Sequence, residues 1–103
     1  MITIKGKVHR RLSEETVAFD AVVLVEGRVA LDITSRGTGG CARVLGLGEP
    51  ADVAAAKAWI LAEARRIWEA SEPDPFPDFL ADSVSEAALI AVPELLRAAR
   101  RRR

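Results

Sequence analysis

The sequence contains one cysteine, one histidine and no tyrosine. A lone Cys41 rules out a disulfide framework, and with His9 as the only imidazole the side chains that build multi-cysteine metal centres are missing. That composition suits a reducing compartment. Long hydrophobic runs are missing too. Met1 to Val8 alternate apolar and polar residues instead of forming the apolar block of a secretory signal, and no stretch reaches the length needed to cross a bilayer. The expectation is a cytoplasmic protein without a membrane role. An excess of charge of one sign is also absent. Lys plus Arg and Asp plus Glu each number 15, which removes the overall basicity of a generic nucleic-acid or membrane binder.

What is present is enough for one domain, residues 1–103. A chain of 103 residues buries roughly 65% of its unfolded surface and folds without disulfide or metal. Charge is balanced in sum but not along the chain. Between Arg66 and Arg97 there is no basic residue, while Glu69, Glu72, Asp74, Asp78, Asp82, Glu86 and Glu94 all fall there, and Arg97 with Arg100 to Arg103 crowd the end.

Three runs have the two-residue period of strands. Ile2, Ile4 and Val8 alternate with Thr3, Lys5 and Lys7, with Gly6 interrupting the apolar face. Val17, Phe19, Ala21, Val23 and Val25 share one face of the second run, and Val29, Leu31 and Ile33 share one face of the third. Glu26 and Gly27 between them form a hairpin turn. Placing Val29 opposite Val25 or opposite Val23 keeps a single apolar face. The first register is preferred because it sets Asp20 across from Thr34, whereas the second sets it across from Asp32. Val44 and Leu45 offer a short fourth, edge segment.

Glu49 and Pro50 open a helix, since proline suits the first helical position and Asp52 suits the positive N-terminal end. It runs to about Ala70, with Val53, Ala56, Ile60, Leu61, Ala64, Ile67 and Trp68 on the arc facing the sheet and Trp59 across from it. The proline-punctuated stretch 72–77 is extended, with Phe76 and Phe79 pinning it to the body. Ser83 and Glu86 have capping-box spacing, so a helix begins there; Pro93 ends or kinks it, and a last piece runs from Glu94 to about Arg101. The fold class is α+β: an antiparallel sheet of three strands, or four with the edge segment, one long helix packed on a face, and shorter C-terminal helices.

Candidate sites are weakly marked. Gly37, Gly39, Gly40 and Cys41 follow a strand, as phosphate-cradling loops do, but no Lys-Ser or Lys-Thr pair and no helix start follows, so a structural turn is preferred. Cys41 is a nucleophile only if His9 or Arg43 lowers its pKa, and a lone cysteine is more often a small buried hydrophobe. Asp20 and Asp32 lack further ligands for a metal. Val22 and Leu24 are apolar on the opposite face of the sheet, which calls for cover by the C-terminal helices or by a partner. Trp59, beside small residues and Arg66, has the composition of an interface anchor, unless the C-terminal helix covers it.

The segment Ser13, Glu14, Glu15, Thr16, Phe19 and Ala21, followed by a hairpin and then by Arg36, Gly37, Gly39, Gly40 and Cys41, resembles a group of small proteins scattered through phage and plasmid genomes of bacteria. The resemblance covers roughly residues 13–70. Arg36 stands where that group usually carries Asn or Asp, and Ala42, Arg43 and Val44 replace a more aromatic segment. The resemblance implies a mobile-element protein that acts by binding a host protein, and in size and character the chain is similar to anti-CRISPR proteins.

The resulting expectation is a non-catalytic phage or mobile-element protein that binds and inhibits a bacterial defence complex, a protein or ribonucleoprotein. It uses no cofactor or metal, and Trp59, Arg66, Arg97, Arg100 and Arg101 are its contact candidates. A homodimer stays open. The alternative is a small nucleic-acid-binding accessory protein that uses Arg10, Arg11 and the arginine tail. A third, weaker reading is an enzyme centred on Cys41 and His9.

Overall fold

A computed structural model describes residues 1–9, 17–38 and 40–101. Four strands, β1 (Ile2–Val8), β2 (Phe19–Val25), β3 (Arg28–Ser35) and β4 (Arg43–Gly46), form an antiparallel meander in the order β1-β2-β3-β4. Three helices follow: α1 (Pro50–Ser71), α2 (Asp78–Ala81) and α3 (Val84–Arg101). The expected α+β class holds, with Val44 and Leu45 in a true fourth strand. Arg10, Arg11, the Ser13–Thr16 part of the resemblance, Gly39, Arg102 and Arg103 lie outside the described residues.

The hairpin joining β2 and β3 shows how local and long-range demands are reconciled. Glu26 and Gly27 both have positive φ, 50° and 79°, the conformation of a two-residue turn that matches strand twist. Such a turn pairs Val25 with Arg28 and Leu24 with Val29. Continued unchanged, that register would carry Asp32 to the apolar face. A bulge between Val23 and Leu24 absorbs the mismatch, after which Val23 pairs with Leu31, Ala21 with Ile33 and Asp20 with Thr34. The preferred register therefore holds for the body of the hairpin. Near the turn it does not. Val29 lies on the outer face, 41% exposed, while the extra residue Ala30 joins Leu31 in the core.

Both long helices pack on the face that carries Phe19, Ala21, Val23, Leu31 and Ile33. α1 crosses β2 and β3, and α3 lies chiefly over β1 and against α1. α1 begins with Pro50 at its first position and buries Ala56, Ile60 and Ala64, a stripe of mostly small residues that lets helix and sheet approach closely. Asp52 in its first turn receives two hydrogen bonds from Arg28, at 3.0 and 3.2 Å, joining the helix start to the hairpin. α3 buries Ala87, Ala88, Ala91, Val92 and Leu96 on a single stripe.

Two expectations about the C-terminal third are corrected, while the helix start expected at Ser83 is found, with α3 beginning at Val84. Pro93 neither ends nor divides the helix: α3 runs from Val84 through Pro93 to Arg101. Proline removes one helical hydrogen bond and crowds the preceding turn, a cost of about 3 kcal/mol. Here the apolar stripe continues across it, with Val92 and Leu96 both buried, and Pro93 itself is buried. Only one of the two phenylalanines pins the 72–77 connection. Phe76 is buried edge-on against Trp68, with ring centroids 6.2 Å apart, and lies beneath the Arg65 guanidinium, whereas Phe79 is 64% exposed. Trp68 adds a hydrogen bond from its indole N–H to the Asp74 carbonyl, 2.9 Å. The capping box is half made. Glu86 N–H donates to Ser83 Oγ at 3.2 Å, but the Glu86 carboxylate turns away to another partner.

Candidate interaction surfaces

That partner is Cys41. Its thiol donates to Glu86 Oε1 at 2.7 Å, tying the glycine-rich loop to the first turn of α3. Gly37 opens the loop in the left-handed region, φ 76°, with its N–H directed at Ser35 Oγ, 3.4 Å away. Around the thiol, Thr34, Arg36, Thr38, Gly40 and Arg43 border a hollow of about 290 Å³. The carboxylate hydrogen bond first, then burial, then the negative charge of Glu86 push the Cys41 pKa up. A nucleophilic thiol needs the opposite shift. The base expected beside it is elsewhere. His9 sits at the end of β1 with Nε2 2.6 Å from Asp20 Oδ2, and β2 and β3 separate its strand from β4. Three strand spacings of ~4.8 Å put the two residues roughly 14 Å apart. The geometry that would make Cys41 and His9 a catalytic pair is not the one that forms. Among the described residues no three His, Cys, Asp or Glu side chains converge as metal ligands, and no helix is long and apolar enough to cross a membrane.

The expected contact residues fall in two places. Trp59 and Arg66 lie on α1, seven positions apart and so on one side of the helix, about 10 Å from each other along its axis. Trp59 is half-buried and packs against the core cluster, which corrects its placement directly across from the buried arc. Arg66 is exposed and bonded to Glu63 at 2.7 Å on its own helix. Arg97 and Arg100 are exposed near the end of α3, where Arg97 bonds Glu94 at 2.6 Å. Arg101 is the last described helical residue. Arg97 and Arg100 help to line a second hollow, about 390 Å³, together with Gly6, Lys7, Val8, Val17, Pro93 and Leu96. Neither Trp59 nor Arg66 is part of it.

A third surface is the outer face of the sheet. The register sets Lys7, Asp20, Thr34 and Arg43 in one row across the strands, and Lys5, Val22, Asp32 and Leu45 in the next. Leu24 pairs with Val29 beyond them, and Leu47 follows Leu45 with the same parity, its N–H bonded to the Ala30 carbonyl. Cover of Val22 and Leu24 by the C-terminal helices is not what occurs, because those helices pack on the other face. The apolar set is instead enlarged by Val29, Leu45 and Leu47, which are 41, 39 and 57% exposed. Val22 and Leu24 were visible in the alternation of β2. Val29 was not, because only the bulge turns it outward.

These features define a two-layer α+β domain in which, among the described residues, both long helices lie on one side of the sheet. No protein-family model, curated protein or solved structure matches the chain.

Proposed function

We propose that the chain is a non-catalytic binding protein whose contact surface is the outer face of its sheet. The observation that carries this reading is the apolar strip of Val22, Leu24, Val29, Leu45 and Leu47 on a face that no helix of the described structure covers, bordered by Lys5, Asp20, Asp32 and Arg43. An exposed apolar strip rimmed by charge is the usual composition of a protein-binding surface. The resemblance of the Ser13–Cys41 segment to mobile-element proteins supports a bacterial defence complex as the partner, with inhibition as the outcome.

Phage plaquing on cells with an active CRISPR–Cas system tests this reading. Expression of the chain should restore plaquing of a targeted phage. The Leu45→Asp/Leu47→Asp variant should lose that effect while melting like the parent. Undiminished immunity in cells expressing the folded chain sinks the inhibitor reading. A second reading rests on Lys7, Arg97 and Arg100 lining one hollow, a cation cluster suited to phosphates. It predicts DNA or RNA binding that falls steeply with salt and disappears on deletion of Arg100 to Arg103.

A further inference from the structure

Among the described residues β1 is an edge strand of the sheet, and it shares one hollow with the end of α3. In an antiparallel ladder, residues directing N–H and C=O to the neighbouring strand alternate with residues directing them away. The His9 N–H bonds the Ala18 carbonyl at 2.8 Å, and the Glu26 N–H bonds the Met1 carbonyl at 2.9 Å. Both belong to the register that pairs Ile4 with Val23 and Gly6 with Ala21, so the odd-numbered residues of β1 serve β2. Ile2, Ile4, Gly6 and Val8 therefore point their peptide groups outward, where no strand pairs with them among the described residues. Gly6 and Val8 also border the 390 Å³ hollow, whose apolar lining is Val8, Val17, Pro93 and Leu96.

Cations outnumber anions at this edge: Lys5, Lys7, Arg97 and Arg100 stand against Asp20, across from Lys7 on β2, and Glu94, bonded to Arg97. Lys7 and Arg100 form no ion pair among the described residues, and Lys5 stands on the outer side of the same strand. Only Arg97 is neutralised, by Glu94. Edge lysines oppose pairing with a second copy of the same strand, because β1 against β1 would bring Lys5 and Lys7 toward one another.

We propose that β1 accepts an acidic extended peptide from a partner protein as a fifth strand. Its outward peptide groups match the free N–H and C=O groups of Gly6 and Val8, which a phosphodiester chain does not. On the outer side its acidic side chains meet Lys5 and Lys7. On the inner side its apolar residues meet Val8 and Leu96, and an aromatic opposite Gly6 fills the hollow, as large residues do beside a glycine in a neighbouring strand. Acidic groups at its end reach Arg100. This inference goes beyond the outer-face reading and does not depend on it.

The probe is an acetylated peptide alternating glutamate with valine and carrying a central phenylalanine, compared with a lysine version and with a version N-methylated at alternate residues. Titration into the full chain, followed by NMR, should show binding of the acidic peptide. Exchange of the Gly6 and Val8 amides should slow by about tenfold or more in the complex. The lysine and N-methylated peptides, and the exposed Arg97→Gln/Arg100→Gln variant with the acidic peptide, should each bind about tenfold more weakly or worse. Absence of acidic-peptide binding at about 1 mM overturns the proposal. So does equal binding of the lysine or N-methylated peptide, or binding that leaves the two amides unprotected. A single-stranded oligonucleotide that displaces the acidic peptide from this edge at lower concentration makes the site one for nucleic acid and overturns it as well.

Discussion

Gly6 shows how one residue can oppose the propensity of its surroundings. Valine would suit the middle of a strand by up to ~1 kcal/mol. Yet a Cβ at Gly6 would stand 2.2 Å from the Asp20 carbonyl oxygen and 2.7 Å from the Ala21 Cα, both on the backbone of β2. Sterics win, because backbone in a paired strand cannot move aside without breaking its ladder. Gly6→Val should lower stability by about 1–3 kcal/mol in urea denaturation, the reverse of the propensity ranking. Cys41 gives a second test at this scale. Although exposed, its thiol is held protonated by Glu86, so alkylation by iodoacetamide near pH 8 should be slower than that of a free small thiol. Replacing the carboxylate in Glu86→Gln removes the charge that opposes ionisation, and the rate should rise several-fold. A rate that does not change would mean that the hydrogen bond to Glu86 does not control the thiol.

At the scale of elements, the start of α1 is anchored more by the hairpin than by a cap. Glu49 makes no side-chain capping bond, and the first turn depends on Asp52 and its contact with Arg28. The Arg28 hydrogen bond and charge hold the Asp52 carboxyl below its ordinary range, against the opposing effect of burial. Because the unfolded chain then binds the proton more readily, the contribution is complete above the unfolded pKa of about 4 and is lost as pH falls through the lower folded value. Parent and Asp52→Asn should therefore differ most near neutral pH and converge in acid when melting temperatures are compared across pH. α3 makes the complementary point. Its local sequence contains a breaker at Pro93, and the helix persists because the stripe from Ala87 to Leu96 buries on one core.

At the scale of the molecule, two long helices share one face of a four-stranded sheet, and no described helix covers the other. That division separates the residues that hold the domain together from those available for contact. Trp59 belongs mainly to the first group. Half-buried against the core, it should cost about 2 kcal/mol when replaced by alanine, between the effect of an exposed residue and that of a fully buried aromatic. Thermal melts of Trp59→Ala, paired with the plaquing assay, then distinguish the surfaces. A folded variant with full activity agrees with outer-face contact, and a folded variant without activity places the contact on α1.

Local chemistry was enough to determine the strand alternation, the Glu26–Gly27 turn, the helix opening at Pro50 and the apolar arc through Ala56, Ile60 and Ala64, because each depends on residues within a turn or a strand of one another. The chain also carried the sign of the outer face in Val22 and Leu24. Tertiary structure alone decided where the register shifts, since the bulge at Ala30 answers a conflict between a two-residue turn and a sheet face assembled from four strands. It decided that Phe76 and not Phe79 docks, that Glu86 takes Cys41 instead of closing its own cap, and that α3 passes through Pro93. In each case the competing local options are similar in energy, and the choice falls to a contact with a part of the chain far away in sequence.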